Sequence, residues 1–148
     1  DGTTLAQPTY PSLRLYPEAV GGIFDRVPDL APMAHYSSKQ RVTLKDVADN
    51  TPVSLAAIYV LAPAMQEHSK SISLTRMSPS EACMAIISNC FQLDVTDRRC
   101  AIGLLNVVSE IAQQLPVFSL AFPRNFACLP DVRKAILRQH GLNAIIKS

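Results

Sequence analysis

The chain has 148 residues, 48% of them hydrophobic and 18% charged, with a formal net charge of +2. Such a length and composition support one domain with a sizeable core and exclude disorder over most of the chain. Near-neutral charge, no tryptophan and 6% aromatics argue against nucleic acid as a partner, and no apolar run approaches the ~18–20 residues of a membrane span.

Residues 3–7 read as a weak strand, with a turn over Pro8 to Pro11. In "SLRLY", Leu13 and Leu15 alternate against Ser12, Arg14 and Tyr16, the pattern of a half-buried strand that Pro17 ends. Pro17 and Glu18 suit a first helical turn, and Gly21–Gly22 keeps that helix short. Val27 to Ser38, holding Met33 and His35, reads as an irregular, proline-marked segment. Gln40–Leu44 is a further strand, with Val42 and Leu44 against Arg41 and Thr43. Val53–Ala62 is a near-continuous apolar run, expected to be one strand covered on both faces. "SISLTRM" alternates through Ile72 and Leu74 as another strand.

Then the periodicity changes. Ser78, Pro79 and Glu81 form a capping box ahead of a helix whose apolar stripe reads Ala82, Ala85, Ile86, Cys90 and Phe91. A longer helix follows, with Ile102, Leu105, Val108 (or Ser109) and Ala112 on its expected core side, stopped by Pro116. "VFSLAF" is a strand with Phe118, Leu120 and Phe122 on one face. A last helix begins near Pro130 and stops at Gly141. The fold class expected is α+β: a mixed sheet of short strands in the N-terminal half, then three helices with one intervening strand.

Cys83, Cys90, Cys100 and Cys128 fit neither a zinc ribbon nor a redox pair and read as free thiols in a reducing cytoplasm. The five glycines form neither GxxxxGK[ST] nor GxGxxG. No GxSxG occurs, and His35, His68 and His140 stand apart from one another; His35 is the least ordinary, in a proline-flanked loop ahead of basic residues. Asp46 and Asp49 share a short loop, while Asp94 and Asp97 suit helix capping. What remains is basic. Lys39 and Arg41 lie two apart on one strand face, and with Arg14 they form either a solvated edge or a cationic pocket for phosphate or carboxylate. Arg98–Arg99 and Arg133, Lys134 and Arg138 read as helical surface charge.

The stretches "PTYPSLRLYPEAV", "KQRV", "LAAIYVLAP", "LTRMSPSEACMAI" and "LPVFSLAFPRNFACLPDVRKAIL" occur in an order that resembles the C-terminal part of the HPr-kinase-related serine kinases. These relatives of HPr kinase/phosphorylase include enzymes of lasso-peptide biosynthesis, and the resemblance runs from Thr9 to Arg138. It implies part of a phosphoenolpyruvate-carboxykinase-like core, with residues 1–148 one domain forming the C-terminal segment of a longer, cytoplasmic kinase. The P-loop and magnesium-binding aspartates of the family are expected upstream of Asp1, a chain start without an initiator methionine or signal segment.

ATP and magnesium are thus implied for the full-length protein and not for motifs in this chain, which by itself is expected to be inactive. The implied reaction is phosphoryl transfer to a serine hydroxyl of a protein or peptide. Arg14, Lys39, Arg41 and Arg124 would supply cations for phosphate or substrate, with no catalytic or metal-binding residue assigned. A homo-oligomer is expected; nucleic acid and membrane are not. Two alternatives stay open: a non-catalytic peptide-binding module, and an unrelated α+β domain.

Overall fold

The computed structural model describes residues 3–7, 12–24, 30–35, 37–43, 51–63, 71–91 and 96–142. These hold eight strands, four helices and one 3-10 turn in an α+β arrangement, with the strands in three small sheets where the sequence suggests one mixed sheet. The chain divides into two compact units: Leu5–Ser54, and Leu55–Ser148 together with Asp1–Thr4.

In the Leu5–Ser54 unit, β1 (Leu5–Ala6) pairs antiparallel with β5 (Val53–Ser54). A second sheet is antiparallel throughout, in the order β2 (Ser12–Leu15), β4 (Ser37–Thr43), β3 (Leu30–Ala34). The irregular segment expected over Val27–Ser38 therefore contains β3 and the start of β4. Pro32 can be accommodated because β3 is an edge strand among the described strands, and the register shifts between Pro32 and Ala34. Between β2 and β3, α1 (Pro17–Ile23) starts on proline, packs against β4 and buries Val20. Among the described residues of this unit, Val42 on β4 is also buried.

In the Leu55–Ser148 unit, β8 (Val117–Ala121) lies between β6 (Ile58–Leu61), which runs parallel to it, and β7 (Ser73–Arg76), which runs antiparallel. Val117, Phe118 and Leu120 are 1%, 7% and 3% exposed, so the strand covered on both faces is β8. The run Val53–Ala62 is instead split, with β5 and β6 in different sheets and no strand between them. Apolar continuity signals burial but carries no information about the pairing partner.

Helix α2 (Pro79–Asn89) packs against α3 (Arg98–Gln114) and against β8. Ala82, Ala112 and Val117 form the buried centre, with Ile58, Val60, Met77, Cys83 and Ile86 around it. The two alanines let the elements approach closely. The expected core side of α3 is only half right: Val108 and Ala112 are buried, but Ile102 and Leu105 are 49% and 47% exposed. The inward positions of α3 are Ala101, Leu104, Val108, Ile111 and Ala112. The expected stripe is one residue late over its first two positions and meets the true one at Val108 and Ala112. Phe91, expected in the α2 stripe, is 87% exposed, because the helix ends at Asn89 and Cys90 is already extended.

The local helix signals hold. Ser78 Oγ accepts from the Glu81 N–H while Glu81 Oε2 accepts from the Ser78 N–H at 2.8 Å. Asp97 Oδ1 caps α3 by accepting from the N–H groups of Arg99 and Cys100. Helix α4 (Leu129–Gln139) ends with Gly141 at φ 69°; Leu142 N–H bonds to Leu137 O at 2.9 Å and Gly141 N–H to Arg138 O at 3.0 Å. This is a Schellman motif, and only glycine adopts its left-handed position without cost.

Candidate functional site

The antiparallel register sets Arg14 directly opposite Arg41, with Leu13 opposite Val42 and Leu15 opposite Gln40. Directly opposed side chains share a face, with Cβ atoms about 4.5–5.5 Å apart. Both arginines thus stand on one face of the three-stranded sheet, and both are exposed. Lys39 precedes Arg41 by two positions and shares that face, its Nζ lying 5.0 Å from the centroid of the Tyr16 ring. The Lys39 N–H donates to Ser37 Oγ at 3.2 Å, tying the start of β4. On the far side, β3 sets Ala31 opposite Arg41.

The arrangement opposes two like charges across a ladder, which weakens strand pairing. Chemically it offers planar N–H forks and an ammonium side by side, suited to an anion with several oxygens. Ser12 begins the same row, opposite Thr43; its Oγ is buried and has no hydrogen-bond partner.

Arg14, Lys39 and Arg41 are therefore brought to one face. Arg124 belongs to the other compact unit, where its Nη2 donates to Ala62 O at 2.7 Å and its guanidinium lies 4.9 Å from the Phe122 ring centroid. It ties the chain after β6 to the chain after β8. His35 is exposed just after β3. Asp46, Asp49, His68 and Asp94 lie outside the described residues. Among the described residues no group of three His, Cys, Asp or Glu side chains could hold a metal ion, and no helix is long and apolar enough to cross a membrane. All four cysteines are free, and Cys83 Sγ lies 3.5 Å from Ser109 Oγ between α2 and α3.

Two further features are not readable in the sequence. Tyr59 Oη lies 2.8 Å from His140 Nε2, joining β6 to the end of α4. The Tyr59 ring stacks on Phe118 at 5.5 Å and meets the His140 ring edge-on at 6.1 Å; burial pushes its phenol above the usual tyrosine value. Beside it, a groove of about 340 Å³ runs between β6 and α2, lined by all of β6 and by Ala85, Ile86, Asn89 and Cys90. The apolar residues of β6 signal a strand, but nothing local pairs position 59 with 140 or aligns β6 with α2.

No protein-family model, no curated protein and no solved structure matches the chain.

Proposed function

We propose that the chain is the phosphate-recognising part of a serine kinase of the HPr-kinase-related type, with Arg14, Lys39 and Arg41 holding the phosphate charge. The observation that carries this reading is the cross-strand pairing of Arg14 with Arg41 on an exposed face beside Lys39. An anion with several oxygens bound at that face would meet both guanidinium groups. The phosphoenolpyruvate-carboxykinase-like core, the serine acceptor on a protein or peptide, the lasso-peptide context, the cytoplasmic location and the oligomer belong to the same proposal.

Among the described residues nothing fits ATP or magnesium, which the resemblance implies for the full-length protein. The sequence has no glycine-rich phosphate cradle, and the described residues offer no cluster of metal ligands. No step of the transfer is therefore routed through this chain; its part is to bind and orient phosphate. The test is calorimetry and thermal melting with inorganic phosphate. Saturating phosphate should raise the melting temperature, and Arg14→Ala and Arg41→Ala should each weaken binding. Absence of any shift in the unsubstituted protein would refute the reading.

The groove between β6 and α2 favours a second reading, a peptide-binding module that transfers no phosphate. Incubation with labelled ATP and a serine peptide separates the two. A serine kinase transfers labelled phosphate from ATP to a serine peptide, whereas a binding module retains the peptide unmodified.

A further inference from the structure

We infer that the ligand of the cationic face is a phosphorylated side chain presented on an extended peptide, which joins the sheet as an added strand along the outer edge of β2. This rests on the reading that Arg14, Lys39 and Arg41 hold phosphate. Among the described strands β2 has one neighbour, β4, and it carries Arg14. Half of the backbone N–H and C=O groups of such a strand point away from its neighbour, a template for a further strand.

A strand added there runs about 4.8 Å from β2 and sets one of its residues level with Arg14 on the cationic face. A phosphoserine at that position carries a charge of roughly −1.5 to −2 and three acceptor oxygens, the complement of the arginine pair. The alternation then dictates its neighbours. The residues on either side of the phosphoserine fall on the opposite face, level with Leu13 and Leu15; Leu13 is 39% exposed and so offers apolar surface. Residues two positions away return to the level of Ser12 and Tyr16. The recognised pattern is a phosphoserine flanked by apolar residues, with polar residues one step further out. Inorganic phosphate would gain the cations but neither the edge nor Leu13.

The test uses the whole chain and a capped pentapeptide, threonine-valine-phosphoserine-valine-threonine, compared by calorimetry with its unphosphorylated form and with inorganic phosphate. Two N-methylated versions, each blocking alternate backbone amides, complete the set. The phosphopeptide should bind at least about tenfold more tightly than inorganic phosphate, the effect of two or three net backbone hydrogen bonds. One N-methylated version should fall back to the affinity of inorganic phosphate, and Arg14→Ala should weaken every phosphorylated probe. Equal affinity for the phosphopeptide, both N-methylated forms and inorganic phosphate overturns strand addition while leaving the phosphate site in place. Equal binding of the unphosphorylated peptide overturns the role of the phosphate. Binding of neither phosphopeptide nor phosphate overturns this inference and the underlying reading together.

Discussion

Arg14 and Arg41 stand directly opposite one another across the β2–β4 ladder, two cations on the exposed face, while the adjacent pair Leu13 and Val42 takes the other face. A protein gains nothing in stability from that pairing. Like charges opposed on a sheet cost on the order of 0.2–1 kcal/mol. Arg14→Thr should therefore raise stability by a few tenths of a kcal/mol at low ionic strength. The gain should vanish near 1 M salt, where the screening length falls to about 3 Å. Urea unfolding at the two salt concentrations checks this. A substitution that stabilises the fold and abolishes phosphate binding would mark the pair as functional rather than structural.

Ser12 Oγ on the same row is buried without a partner. An unsatisfied buried hydroxyl is already unfavourable, so Ser12→Ala should leave stability unchanged or raise it by up to about 1 kcal/mol. A loss larger than that in denaturant melts would show that the hydroxyl is satisfied in solution.

The capping box gives a prediction with a definite pH sign. The Ser78 hydroxyl, and then its N–H, hold the Glu81 carboxyl below the usual glutamate value. A carboxyl lowered in the folded state contributes stability above its unfolded value, and that contribution is lost as pH falls through the lowered folded value. Ser78→Ala should cost about 1 kcal/mol at neutral pH. Glu81→Gln should flatten part of the acid limb of a plot of unfolding free energy against pH. An acid limb identical in Glu81→Gln and the unsubstituted protein would refute the linkage.

Tyr59 and His140 join β6 to the end of α4 through one hydrogen bond of 2.8 Å. Tyr59→Phe should cost about 0.5–1.5 kcal/mol, and a double-mutant cycle with His140→Ala should return a coupling of that order. Burial raises the Tyr59 phenol in the folded protein. Stability from this group is complete below the unfolded tyrosine value and is lost as pH rises through the raised folded one. Ultraviolet titration should show a late phenol ionisation, and that late step should be missing in Tyr59→Phe.

What the sequence determined by itself was local. Ser78, Pro79 and Glu81 announce the start of α2, Asp97 that of α3 and Gly141 the end of α4, because each signal acts within a turn of backbone and needs no distant partner. The alternation around Arg14 and around Lys39 and Arg41 likewise predicted strands with those cations on one face of each. Tertiary structure alone decided which strands meet. Register brought Arg14 to Arg41, made β8 rather than Val53–Ala62 the doubly covered strand, turned α3 so that Ile102 and Leu105 stay half exposed, and set Tyr59 against His140. Those outcomes depend on packing between residues far apart in the chain, where an apolar run or a charge specifies a face but not the neighbour it will meet.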